Sequence, residues 1–94
     1  MNYFAVTYRY PEGDDNIARV RPTHREFLRG LLDEGILVGS GPYEGGDALI
    51  LIRLGEGSTV ADAEALMDRD PYALEGVLPG REIKAWTPVL NIFG

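Results

Sequence analysis

The spacing of apolar and polar positions along this chain divides it into alternating strands and helices. Residues 3–9 (Tyr-Phe-Ala-Val-Thr-Tyr-Arg) are aromatic and β-branched and predict a strand. Pro11-Glu12-Gly13-Asp14-Asp15-Asn16 predicts a turn. A helix is expected over about 22–34. Pro22 suits a first helical turn, and Gly35 suits the left-handed residue after the helix end. Phe27, Leu28, Leu31 and Leu32 make its apolar stripe, and His24 lies on that stripe, four residues before Leu28. Residues 36–42 predict a second strand with a glycine-rich exit, and Glu44-Gly45-Gly46-Asp47 a turn. Residues 48–53 predict a third strand. Thr59 with Asp62 resembles a capping box, opening a helix to about Asp68 with Val60, Ala63, Leu66 and Met67 apolar. Asp70-Pro71 marks a boundary, since proline disfavours helical geometry in the residue before it. Tyr72 to Glu75 fits a short helical turn ended by Gly76. Residues 81–90 predict a fourth strand, with Pro88 at an edge or outside the ladder.

The order β-α-β-β-α-β is the ferredoxin-like pattern of an α+β fold: a four-stranded antiparallel sheet with two helices on one face. Both faces of the third strand are apolar, with Ala48, Ile50 and Ile52 on one and Leu49 and Leu51 on the other. The first strand is similar. Two helices cover only one face of such a sheet, so a second cover is expected. A second copy, sheet against sheet about a two-fold axis, supplies it most economically, and a homodimer is expected. The plainer reading is a central strand whose second face is only partly exposed.

Composition narrows the function classes. Ninety-four residues suit one domain, 1–94. The formal net charge of −6 argues against nucleic acid and against an anionic membrane surface. With no cysteine there is neither disulfide nor thiol chemistry. Residues 1–6 lack the basic region and long apolar run of a signal peptide, and no stretch approaches transmembrane length, so a cytoplasmic location is expected.

Chemistry has few candidates. The chain has one histidine, His24. A histidine exchanges a proton near neutral pH, and a carboxylate on one ring nitrogen fixes its tautomer and stabilises the imidazolium. Asp70 could supply that carboxylate if the helices pack side by side, making His24 and Asp70 a catalytic pair. The bland alternative is a structural histidine and a helix-stopping Asp-Pro. Ser40 and Gly41, in Gly39-Ser40-Gly41-Pro42, could turn backbone N–H groups toward an anion, although such segments are commonly bulged strand exits. Tyr8, Tyr72 and Trp86 could line a pocket for an aromatic substrate, or simply pack with their polar tips at the surface. Arg25 and Arg29 could hold a carboxylate, or be solvated on an exposed helix face. One histidine and scattered carboxylates have no metal-ligand spacing, so no metal is expected.

Taken in order, these residues resemble the YciI-like (YCII-related) family over nearly the whole chain. The resemblance is carried by the opening strand and by His24 followed by Phe27-Leu28 and Leu31. Gly35, Gly39-Ser40-Gly41-Pro42, the apolar strand from Gly46 to Ile52, Ser58, Asp70-Pro71-Tyr72, Gly76 and Trp86 complete it. It implies a ferredoxin-like subunit of the dimeric α+β barrel superfamily, pairing through its sheets. It also implies a catalytic role for a His–Asp pair, falling here on His24 and Asp70. Dehydrochlorination of a chlorinated hydroxyquinone in the family, and isomerisation of muconolactone in its relatives, imply a small aromatic or lactone ligand. The expectation is a cofactor-independent lyase or isomerase. The rival from a different class is a non-catalytic dimeric module that binds a small metabolite or a partner. Haem ligation by His24 is a third reading, suggested by superfamily relatives; no cofactor is expected.

Overall fold

In the computed structural model, residues 1–10, 13–78 and 80–93 are described. They form β1 (Asn2–Arg9), α1 (Asp15–Asp33), β2 (Leu37–Pro42), β3 (Ala48–Leu54), α2 (Val60–Met67), the one-turn α3 (Pro71–Leu74) and β4 (Gly80–Trp86). The strands make one antiparallel sheet in the order β2-β3-β1-β4. This is the expected ferredoxin-like α+β arrangement.

The helix α1 starts seven residues before Pro22, earlier than expected. Asp14 is its N-cap, accepting from the Asn16 N–H at 2.8 Å, so Asp15 and Asn16 belong to the helix rather than to a turn. Pro11 and Glu12, also assigned to that turn, lie outside the described residues. The buried positions Ile17, Val20, His24, Leu28 and Leu31 recur at helical spacing through the proline. Pro22 lacks the N–H that would bond the Ala18 carbonyl, a cost of about 3 kcal/mol in a helix interior. That long buried stripe offsets it, because tertiary packing rather than propensity decides helix extent. The other end follows expectation. Gly35 has φ 76°. Its N–H reaches the Leu32 carbonyl at 3.0 Å, and that of Ile36 reaches Leu31 at 2.9 Å, a Schellman closure. Leu32, counted above in the apolar stripe, is instead exposed.

At the start of α2, the Asp62 carboxylate accepts from the Thr59 N–H at 2.8 Å. Strand β4 stops at Trp86, short of residue 90, and Pro88 lies beyond the ladder.

The core lies between the sheet and the helices. Phe4, Val6 and Tyr8 of β1 and Ile50 and Ile52 of β3 face it, together with Ala63, Met67 and Tyr72. The alternate positions face the other way, as a period of two requires. A register shift between Leu37 and Gly39 inserts one extra residue into β2. It reverses the side-chain parity of that strand, so Ser40, opposite Ile50, turns to the helix side. On the opposite side of the sheet, Tyr3, Leu49 and Leu51 are half-buried. Phe93 stacks on Tyr3 there, ring centroids 5.6 Å apart.

Candidate active site

His24 comes from the buried stripe of α1, and Asp70 from the junction between α2 and α3. The second placement follows from local chemistry. Asp70 is the N-cap of α3, with ψ 132°, and its Oδ1 accepts from the Tyr72 N–H at 3.0 Å. Pro71 occupies the first helical position, where its missing N–H costs nothing. The Asp-Pro read above as a helix stop therefore also starts a helix, and this aims the carboxylate back at α1, which packs against α3.

The His24 Nδ1 lies 2.8 Å from Asp70 Oδ2 and 3.0 Å from Oδ1. The Tyr8 hydroxyl donates to Oδ2 at 2.7 Å. Asp70 is fully buried and His24 nearly so. A carboxylate gathering a phenol, an amide N–H and an imidazole nitrogen acts as acceptor to all three. The donor set thus assigns the proton of neutral His24 to Nδ1 and leaves Nε2 with its lone pair. Nε2 has no hydrogen-bond partner among the described residues. The ring plane is held by Tyr72, stacked on it at 4.0 Å and 14°.

His24 and Tyr72 form part of one wall of a cleft of about 460 Å³, a size suited to a single small ligand. Leu28, Ala48 and Ile50 make its apolar floor. Ser40, Gly41, Pro42 and Gly46 form a rim between β2 and β3, and Tyr10, Arg21 and Arg25 close the remaining side. The structure thus brings His24, Asp70, Tyr72, Ser40 and Gly41 together. It does not bring Trp86. The register pairs Trp86 with Tyr3, and alternation puts both on the sheet face away from the helices. There Trp86 packs edge-on against Tyr3 at 6.3 Å and borders a different cleft. Trp86, expected above to bind the ligand, therefore lies outside this cleft, on the outer face of the sheet. Tyr8 is also not a wall residue; it lies behind the histidine, on Asp70. Of the two arginines considered for a carboxylate, Arg25 lines the cleft and Arg29 does not.

Sequence reasoning missed Tyr8 as a partner of Asp70, and missed Tyr10 and Arg21 in the cleft. Arg21 was hidden by the late helix start, since it precedes Pro22. The signal for it was present: Ile17 and Val20 extend the stripe upstream. Among the described residues, no three His, Asp or Glu side chains converge as a metal site would need.

Burial pushes the Tyr8 phenol far above its ordinary value, and the charge of Asp70 and the hydrogen bond to it push the same way. Tyr10 is pushed up to about 12, first by burial and then by Tyr72, while Arg21 and Arg25 pull it down. A phenol raised in the folded state contributes its full stability below the unfolded value of about 10. Above that pH the unfolded chain loses the proton and the folded chain keeps it, so stability falls. Urea unfolding from pH 8 upward should show this loss, at up to ~1.4 kcal/mol per pH unit for the buried Tyr8, with a smaller share from the more solvated Tyr10. Tyr8→Phe should be less stable at neutral pH by about 1 kcal/mol yet show a flatter alkaline decline. An alkaline slope identical to that of the parent would contradict the assignment.

Comparison with known proteins bears on the family and the fold. The family model of the YCII-related domain matches residues 1–87. The chain belongs to that family. No curated protein matches this YCII-related chain. Among solved structures it is similar to 5-chloro-2-hydroxyhydroquinone dehydrochlorinase (TftG) from Burkholderia phenoliruptrix, in complex with 2,5-dihydroxybenzoquinone. The TM-score is 0.74 at 12% identity, over 90% of this chain and 93% of that one. Protein Atu4242 from Agrobacterium tumefaciens gives a TM-score of 0.58 at 22% identity, over 95% and 94% of the two chains. A second structure of Atu4242, described as a nipsnap family protein with unknown function, gives 0.52 at 21% identity, over 92% and 86%. At these identities the likeness establishes the shared fold. No helix among the described residues is long and apolar enough to cross a membrane.

Proposed function

We propose that this YCII-related chain is a cytoplasmic, cofactor-independent enzyme of the lyase or isomerase type, in which His24 and Asp70 move a proton on a small aromatic or lactone molecule. The carrying observation is the histidine itself. Its Nδ1 is held by a buried carboxylate, its Nε2 has no hydrogen-bond partner among the described residues, and His24 lines a ligand-sized cleft. Nε2 takes a proton from an acidic C–H of the substrate, and the C–H electron pair moves onto a conjugated carbonyl oxygen as an enolate. Asp70 stabilises the imidazolium that forms. The Tyr72 hydroxyl, Ser40 and the backbone at Gly41 are the candidate donors to the enolate oxygen. In an isomerase the proton returns to another carbon. In a lyase the electron pair expels a leaving group from the neighbouring carbon, and the imidazolium releases its proton to water.

Family membership supports this reading, as does a fold shared with a dehydrochlorinase crystallised with a quinone. We propose further that the chain is a homodimer joined through the outer faces of two sheets.

Small aromatic and lactone compounds that raise the melting temperature identify ligands. Each is then incubated in D2O and followed by NMR for deuterium at carbon. The parent should introduce deuterium, and His24→Gln should not. Equal exchange by His24→Gln overturns the reading, and binding without exchange identifies a binding module instead.

A further inference from the structure

The charge of the cleft is opposite to that of the chain. The protein carries a net charge of −6, yet among the described residues no carboxylate lines this cleft, and Arg21 and Arg25 line it beside His24. They stand four residues apart on α1, on adjacent turns of one face, and His24 lies within the same stretch of helix. Four other basic groups are ion-paired, Arg9 and Lys84 with Glu82, Arg19 with Glu75, and Arg81 with Asp68, whereas Arg29, Arg53 and Arg69 are in no ion pair among the described residues. Arg21 and Arg25 form no ion pair among the described residues. A second observation concerns a residue of the same cleft. The Tyr72 hydroxyl is buried and has no hydrogen-bond partner among the described residues, and Tyr72 lines the cleft. An unsatisfied buried hydroxyl is unfavourable, and a bound oxygen atom would satisfy it.

From these features we infer that the substrate of this site is a ring-sized organic acid. Its carboxylate is held by Arg21 and Arg25, and its ring lies against Tyr10, Tyr72 and the floor of Leu28 and Ile50. A second oxygen on the substrate accepts from the Tyr72 hydroxyl. The guanidinium fork matches a planar carboxylate in a way that a neutral group cannot reproduce. Anchoring the anion at the arginine end presents the far side of the ring to Nε2 of His24. The inference deepens the proton-transfer reading and rests on it for the word substrate, but the binding it requires is separable from chemistry.

Benzoate and its neutral isostere benzamide are the probes, titrated into the whole protein and read by amide chemical shifts. Neither tests proton transfer, so the result is independent of whether His24 exchanges a proton. Benzoate should bind at least roughly tenfold more tightly than benzamide, with shifts clustered at the cleft, and added salt should weaken benzoate alone. Arg21→Gln and Arg25→Gln should each weaken benzoate by about tenfold and leave benzamide unchanged. Arg29→Gln, on the same helix but outside the cleft, should bind benzoate as the parent does. Tyr72→Phe should weaken salicylate, which carries a second oxygen, more than it weakens benzoate. Benzoate binding no tighter than benzamide, or unaffected in the Arg21→Gln, Arg25→Gln double variant, overturns the inference.

Discussion

Asp70→Asn is expected to move the His24 proton from Nδ1 to Nε2 and to lower turnover on the order of 10³-fold or more. The reasoning is a count of donors. The two oxygens of Asp70 receive the Tyr8 hydroxyl, the His24 Nδ1–H and the Tyr72 N–H. Asparagine offers one oxygen and one NH2. The backbone N–H of Tyr72 cannot become an acceptor, so the amide oxygen stays there. The NH2 then faces Tyr8 and His24. The phenol rotates to accept, and the imidazole accepts at Nδ1 by shifting its proton to Nε2. This removes the lone pair from the nitrogen that faces the cleft. Nitrogen chemical shifts of His24 read the tautomer without any substrate. The same variant should lose about 2 kcal/mol of stability, and Asp70→Ala about 3–5 kcal/mol, because alanine leaves all three donors without an acceptor. If His24 in Asp70→Asn keeps its proton on Nδ1, the donor assignment is wrong.

This dependence explains which parts of the site could be read from the sequence. The fold was legible because its elements carry local signals: a Gly35 closure, a Thr59–Asp62 cap, and apolar, β-branched and aromatic runs bounded by turn residues. His24 was legible as a titratable group on a buried stripe, and Asp70 as a residue before proline. Their contact was not legible, because it depends on how α3 packs against α1. Tyr8 shows the limit most clearly. Along β1 it is one aromatic in an alternating strand, and only the approach of a carboxylate from sixty-two residues away makes it a hydrogen-bond donor. The place of Trp86 outside the cleft was not legible for a related reason. Its exclusion from the cleft is a matter of parity, fixed by pairing with Tyr3, and a single strand read alone does not say which face meets the helices. Ser40 reached the cleft side only through the extra residue at the bulge, which reversed the parity of its strand.

Leu51→Asp is expected to convert the proposed homodimer to monomers while leaving the subunit folded. Leu51 lies on β3 with Leu49, on the face away from the helices, and is only half-buried. Beside these residues runs the segment after β4, whose Val89, Leu90 and Ile92 are 84%, 93% and 98% exposed. Phe93 covers the face near Tyr3 and Trp86, yet a groove bordered by Val38, Leu49 and Leu51 stays open beside it. Contiguous apolar surface of this kind marks an interface, and a two-fold axis repeats every contact. Fully burying an exposed leucine contributes about 1.5–3 kcal/mol; Leu51 is already partly buried in the subunit, so the symmetric loss of what remains is about 1–2 kcal/mol, on the order of tenfold in dimer affinity. A buried aspartate adds its own desolvation cost. Because Leu51 points away from the core of Phe4, Val6, Ile50 and Ile52, the far-UV circular dichroism should not change. Sedimentation equilibrium over a concentration series measures the affinity. Leu74→Asp is the control: Leu74 is 72% exposed on α3, on the helix side, and the same substitution there should leave the dimer intact. A parent that sediments as a monomer, or a Leu51→Asp variant that dimerises as the parent does, would mean that the second face is closed by the chain's own tail.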